Sequence, residues 1–140
     1  VSRPHPDGYT IRTDGVPAQR VHHWLSTDAY WAAGRDLDTV TRALAASLVY
    51  GLFDATGDLV GVARAVTDGA TFAWIADVYV DRAHRGRGLG TWLVEELTAA
   101  LRAAGVRRLV LATRDAHEVY ARVGYAPLRW PERWMEIDLR

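Results

Sequence analysis

The run Arg85-Gly86-Arg87-Gly88-Leu89-Gly90-Thr91 constrains this chain more than any other stretch. It lies between an alternating apolar segment, Phe72 to Val80, and the best amphipathic helix in the sequence, Gly88 to Ala104. In that helix Leu89, Leu93, Leu97 and Leu101 recur every fourth residue, and Gly105 stops it. A strand that feeds a helix through a glycine-rich turn belongs to a domain of packed sheet and helices. Glycine lets the backbone approach a ligand and point several N–H groups at one spot. The helix start adds unpaired donors and the positive end of its dipole. With Arg85 and Arg87 beside them, these groups make a cradle for a pyrophosphate. The plainer alternative is a turn that needs glycine for its geometry alone.

The remaining elements follow from period and punctuation. Tyr9 to Thr13 alternates as a short strand, and Asp14-Gly15 turns it. Pro17 opens a helix that runs to Leu25. Ser26 to Arg35 has no clear period and reads as loop or irregular helix. Leu37, Val40, Leu44 and Leu48 predict a second helix over Asp38 to Ser47. Leu48 to Phe53 and Leu59 to Thr67 are strands around a turn at Gly57, and Asp68-Gly69 closes the next hairpin. Leu109 to Thr113 is a continuous apolar run, the mark of a strand covered on both faces. Asp115 and Glu118 have capping-box spacing ahead of a short helix, Ala116 to Val123, ended by Gly124. Trp134 to Leu139 alternates as a last strand. The expected class is α/β or α+β, a sheet with helices on its faces. A loose tail over residues 1–8 precedes a single domain, residues 9–140.

Composition removes several functions. The 140 residues carry 17 basic and 17 acidic side chains, which argues against a large phosphate-binding footprint on nucleic acid. There is no cysteine, hence no thiol nucleophile, disulfide scaffold or cysteine zinc site. Every basic side chain apart from histidine is arginine. A Schiff-base lysine and the lysine of a P-loop are therefore excluded. The spacing of Gly86, Gly88 and Gly90 is not the G-x-G-x-x-G of a dinucleotide site. No metal site is expected, since the neighbours His22 and His23 cannot both turn into one helical site. No stretch has the length of a membrane span, and Val1 to Thr10 lacks the apolar core of an export signal; a cytoplasmic protein is expected.

The run Asp77-Val78-Tyr79-Val80-Asp81-Arg82-Ala83-His84-Arg85-Gly86-Arg87-Gly88-Leu89-Gly90 resembles motif A of the GNAT N-acetyltransferase superfamily. That motif is a strand, then R/Q-x-x-G-x-G/A, then a helix; Arg85, Gly88 and Gly90 fall on its named positions. A second run, Ala116 to Tyr125, resembles the family's A-x-x-x-Y-x-x-x-G-F/Y helix. A helix and a buried strand separate the two, as the family requires. One departure is Thr113, where members often carry Asn seven residues before the tyrosine; it affects one contact near the pantetheine.

The resemblance implies the GNAT fold, a mixed and mostly antiparallel sheet flanked by helices, and acetyl-CoA as cofactor without a metal. Carried over, the pyrophosphate meets Arg85, Gly86, Arg87, Gly88, Leu89, Gly90 and Thr91. The pantetheine arm pairs along Val78, Tyr79 and Val80 like an added strand. A bulge usually splays that strand, but the intact alternation Phe72, Trp74, Ala76, Val78, Val80 does not reveal one. The implied chemistry is direct attack of a neutral amine on a thioester. It needs an oxyanion donor, the Val78 N–H, and an acid for the thiolate, the phenol of Tyr120. Asp77, the lone acid within its strand, is the candidate base or ammonium partner. His84 is a weaker candidate, and His117 reads as solvent-facing.

Acceptor pockets in this family draw on the N-terminal helices and the last strands. Here those regions hold Trp24, Tyr30, Trp31, Trp130 and Trp134, which suits a small apolar or aromatic amine, or a cation held by ring faces. Core packing is the ordinary role of any one of them. The leading reading is an N-acetyltransferase for the primary amine of a small molecule, with no nucleic-acid or membrane partner; a homodimer stays open. Two alternatives remain: an acyl-CoA sensor without turnover, and a nucleotide site at the glycine loop.

Overall fold

The computed structural model describes His5 and residues 7–140. Strand β1 (Thr10–Arg12) leads to helix α1 (Ala18–Asp28) and, after a 3-10 turn over Tyr30–Ala32, to α2 (Leu37–Ala45). Then come β2 (Leu48–Phe53), β3 (Leu59–Thr67) and β4 (Ala73–Val80). A second 3-10 turn, Arg82–His84, leads to α3 (Leu89–Ala103), β5 (Leu109–Val110) and α4 (His117–Val123), and a third spans Pro131–Arg133. The five strands lie in sequence order. The first four are antiparallel, and β5 is parallel to β4, reached by the α3 crossover.

Local chemistry sets the turns. The Asp54 carboxylate accepts the Thr56 and Asp58 N–H groups, both at 3.0 Å. Asp68 accepts those of Ala70 and Thr71, both at 2.8 Å, so each hairpin is held by its own aspartate. Asp36 caps α2 by accepting from the Thr39 N–H at 2.8 Å.

The sheet has a core on each face. Leu89, Leu93, Leu97 and Leu101 of α3 pack with Ile11, Leu52, Val60, Ala63, Ala65 and Ile75. On the opposite face Val21, Trp24 and Leu25 of α1 and Val40 of α2 pack with Val49, Phe53, Val62 and Tyr79. Neighbours such as Val62 and Ala63 go to opposite sides, as the two-residue period requires.

Four expectations change. The apolar run after Leu109 pairs with β4 only at Leu109 and Val110, not through Thr113, because β4 bends away. Trp134 to Leu139 forms no strand, since nothing among the described residues pairs with it. Asp115 does not cap α4; the Thr113 hydroxyl accepts the Ala116 N–H at 3.1 Å instead. Of the expected tail, residues 1–4 and 6 lie outside the described residues. His5, however, packs on Tyr9 and Trp92 at ring separations of 5.6 and 5.2 Å, because an apolar shelf is there to receive it.

Candidate active site

The bend in β4 creates the site. Opposite the single residue between Val62 and Arg64, β4 spends two, Asp77 and Val78, so the ladder carries a bulge. Asp77 adopts φ 53°, the only positive φ of a non-glycine residue among those described. Its carboxylate holds that unfavourable backbone in place. Oδ1 accepts the Trp31 indole N–H at 2.8 Å. Oδ2 accepts Arg35 at 2.8 Å and two nitrogens of Arg64, each at 2.9 Å. The side chain of Asp77 is only 4% exposed, so it is a buried tie between β4, β3 and the α1–α2 connection rather than a base open to an amine. This corrects the role expected of it.

Past Trp74 and Val110, β4 and the run after β5 no longer pair, and the wedge between them, which takes in the bulge, is a cleft of about 570 Å³. Trp31, Arg35, Arg64, Asp77 and Thr113 line it, together with Arg114. A second hollow, about 490 Å³, follows Val78, Tyr79 and Val80 to the loop Arg85–Thr91. Tyr30, Trp31, Val78, Asp115 and Tyr120 border both, which makes Tyr120 part of the junction. Its hydroxyl has no hydrogen-bond partner among the described residues. Burial, reinforced by Tyr30, Tyr125 and Asp115, pushes its phenol up to about 12. Tyr120 is thus a protonated, unpaired donor where the two hollows meet.

The loop has the shape of an anion cradle. Gly86 and Gly88 take φ 81° and 73°, a left-handed backbone that side chains resist. A Cβ on either would point into open space, so conformation and not crowding selects glycine. Gly88 caps the N-terminus of α3 with no side-chain acceptor on its first N–H groups. The loop is pinned from below. Arg85 donates to the Val80 carbonyl at 2.8 Å and to Asp28 at 3.1 Å. Asp28 also receives the Tyr79 hydroxyl at 2.6 Å and pairs with Arg82. The Arg82 guanidinium, with the Tyr79 hydroxyl, holds the Asp28 carboxyl down to about 2. Burial and that carboxylate push the Tyr79 phenol up to about 12. Arg85 is committed to this support, which leaves Arg87 as the guanidinium of the loop with no ion-pair partner among the described residues.

The aromatic residues separate. Tyr30 and Trp31 meet edge to face at 5.1 Å and wall both hollows. Trp24 does not reach the cleft; it is 4% exposed and stacks on Tyr79 at 5.3 Å, because the inward face of α1 meets the sheet there. Trp130 and Trp134 are partly exposed and stack with Arg133 and Arg108. His84 is tied to the Tyr9 hydroxyl at 2.7 Å. Arg35 and Arg64 belong to no motif that marks them as site residues. The available signal was Arg64 itself, a lone charge in an apolar strand whose neighbour strand holds a lone acid.

The sequence profile described as "Acetyltransferase (GNAT) family" matches residues 18–125, well over half of the chain. The chain belongs to the GNAT acetyltransferase family. A solved GNAT-family structure from Xanthomonas campestris is 38% identical, with a TM-score of 0.88 over 99% of this chain and 96% of that one. A Gibberella zeae protein that carries an acetyltransferase name is 32% identical over 136 residues, 81% of this chain and 76% of its own length. A Mycobacterium tuberculosis protein whose structure is a complex with CoA shares the fold. It is 23% identical with a TM-score of 0.69, over 82% of this chain and 70% of that one. The five-stranded, mostly antiparallel sheet with flanking helices is the GNAT fold of these neighbours, and the bulged β4, the glycine loop and the tyrosine helix line one hollow in it. Among the described residues no helix is long and apolar enough to cross a membrane.

Proposed function

We propose that this GNAT protein is an acetyl-CoA-dependent N-acetyltransferase whose acceptor is a small primary amine that also carries a carboxylate. The observation that carries the enzyme reading is the position of Tyr120, unpaired and protonated, at the junction of the two hollows. The open, left-handed glycine loop at the α3 N-terminus fits a pyrophosphate. The CoA bound in the Mycobacterium tuberculosis neighbour favours the same ligand here. Gly86, Gly88, Gly90 and Thr91 would hold it through the backbone, with Arg87 adding charge, and the Val78–Val80 edge would take its arm. When bound, acetyl-CoA supplies the activated acetyl thioester.

The chain's own groups divide the remaining work. Tyr120 donates its proton to the leaving sulfur. The Val78 N–H, at the bulge, donates to the oxygen that gains charge. Asp115 is exposed and without an ion-pair partner among the described residues; it draws the ammonium and takes its proton through water. Arg35 and Arg64 share one carboxylate, Asp77, so the cleft floor holds a positive charge in excess. Burying an unmatched charge is costly, and an acceptor carboxylate would match it. Tyr30 and Trp31 offer ring faces to the rest of the molecule.

Thermal unfolding with acetyl-CoA, with ATP and NAD as controls, tests the cofactor. Ligand at a hundred times its Kd adds about 2.7 kcal/mol, a rise on the order of 10 °C in a domain of this size. Thiol release with paired amines, each with and without a carboxylate, tests the acceptor; the protein has no cysteine to interfere. Carboxylate-bearing amines are expected to react faster. Equal rates across each pair would reject the charge argument. A shift with acetyl-CoA but no turnover of any amine would favour the sensor reading, and a shift with ATP or NAD alone the nucleotide reading.

A further inference from the structure

Tyr9 stands one residue ahead of β1 and is 4% exposed, in the core cluster that holds Ile11, Leu52 and Leu89. The turn before it fixes its place. The His5 N–H donates to the Tyr9 carbonyl and the Gly8 N–H to the His5 carbonyl, both at 2.9 Å, and the His5 ring meets the Tyr9 ring edge to face. The Tyr9 hydroxyl lies 2.7 Å from Nδ1 of His84, a residue 75 positions further along the chain. His84 ends the 3-10 turn Arg82–His84, immediately before Arg85. It is half-buried and lines the second hollow together with Gly86 and Gly88.

This contact decides where the imidazole carries its hydrogen. A buried hydroxyl needs an acceptor for its proton. The neutral ring offers one at Nδ1 only when its own hydrogen is on Nε2. The other neutral tautomer would set an N–H against the phenol and leave the phenolic proton without a partner. In the imidazolium both nitrogens carry hydrogen. Nε2 is therefore a donor in the favoured neutral ring and in the charged ring alike, and it has no hydrogen-bond partner among the described residues.

We infer that His84 is a phosphate-binding residue of the acetyl-CoA site, giving its Nε2–H to a phosphate oxygen of the cofactor, and that Tyr9 is the positioning residue that fixes its ring and tautomer. The inference rests on the acetyl-CoA reading of the hollow. The glycines there offer backbone N–H groups, Arg85 is spent on the Val80 carbonyl and Asp28, and Arg87 carries its charge on a long, rotatable stem. His84 adds a side-chain donor that is oriented before the ligand arrives, so little ordering remains to be done on binding. The phosphate is that of the pyrophosphate or the 3′-phosphate of CoA, two sources of the same chemistry.

Calorimetric titration of acetyl-CoA into the parent, His84→Ala, Tyr9→Phe and the double variant tests it. Binding should weaken about tenfold in His84→Ala and about threefold in Tyr9→Phe. The Tyr9→Phe loss should vanish when His84 is already alanine, which a mere loosening of the core would not produce. His84→Gln keeps an N–H donor and should recover part of the affinity. Nitrogen NMR of the free protein should find the His84 hydrogen on Nε2 in the parent and a mixture of tautomers in Tyr9→Phe. Titration with 3′-dephospho-CoA sorts the phosphates: a His84→Ala loss that persists assigns the pyrophosphate, and one that disappears assigns the 3′-phosphate. Parent-like affinity in His84→Ala, or the same Tyr9→Phe loss with and without His84, would overturn the inference and leave the acetyl-CoA reading standing. A parent that does not bind acetyl-CoA would reject both. Should Tyr9→Phe fail to fold, the two His84 variants and the parent spectrum still decide the role of the imidazole.

Discussion

Two side chains that looked alike in prospect do opposite things. Asp77 lies buried under two guanidinium groups and an indole, and it sustains its own left-handed backbone. Tyr120 gives its hydroxyl to nothing among the described residues. Replacing Asp77 by Asn leaves two arginines facing a neutral amide, a loss of about 3 kcal/mol. Thermal unfolding should register a fall on the order of 10 °C. Tyr120→Phe removes no internal hydrogen bond, so its unfolding midpoint should stay put while kcat falls by about a hundredfold and acetyl-CoA affinity holds. Normal turnover in that variant would remove Tyr120 from proton transfer. Asp115→Asn belongs with Tyr120→Phe: stability unchanged to about 0.5 kcal/mol, but a weaker kcat/KM at low pH than at high pH, where the amine sheds its proton unaided.

The joint between β4 and α3 is where local conformation becomes a binding surface. Gly88 at the helix cap and Gly69 in the β3–β4 hairpin have nearly the same backbone, φ 73° and 75°, and both face open space. Alanine at either should cost about 1–2 kcal/mol, because the strain is the same. The two variants should part company in the presence of acetyl-CoA. Gly69→Ala should bind as the parent does. Gly88→Ala should bind at least tenfold more weakly, since its Cβ enters the space left for the phosphates. Equal affinities by calorimetry would show that the loop is a turn and nothing more. The strain at Asp77 has the same logic at strand scale: one extra residue in β4 turns the strand where it lines the cleft, beyond its last pairing with β5 at Trp74.

Across the whole molecule, charge sets a window of pH. The Asp28 carboxyl is held at about 2 against a usual 3.8, first by Arg82 and then by Tyr79. Hydrogen bonds from their own turns also lower Asp54 and Asp68, from Thr56 and Thr71 foremost. A depressed carboxyl stabilises the fold fully above its unfolded value and loses that stabilisation as pH falls toward its folded one. Tyr79 and Tyr120, raised by burial to about 12, act in the opposite sense: their contribution is whole below about pH 10 and is lost between about 10 and 12. Urea midpoints should therefore be flat between about pH 5 and 9 and fall on both sides. Asp28→Asn should flatten part of the acid limb and leave the alkaline limb alone. An unchanged acid limb would show that Asp28 titrates alike in both states.

Elements with a strong local signal were legible from residue order alone. β2 and β3 have the bounds their apolar runs predict, and α3 begins one residue later, at Leu89, because Gly88 is its cap. The glycine loop and the helix of Tyr120 were likewise legible, since spacing along the chain carries them. What sequence alone left open depends on residues far apart. Arg35, Arg64 and Asp77 are brought together by the register of β3 with β4 and by the path after α1. The bulge is invisible in an alternation that remains intact on either side of it. Trp24 went to the core and Trp31 to the cleft, though the two are seven positions apart with the same side chain. The last alternating segment has the period of a strand, but a strand exists only where another edge accepts its hydrogen bonds, and period says nothing about where that edge is. Local order is written in the spacing of neighbours. The cleft is made by contacts between distant segments, and only the folded chain brings those into register.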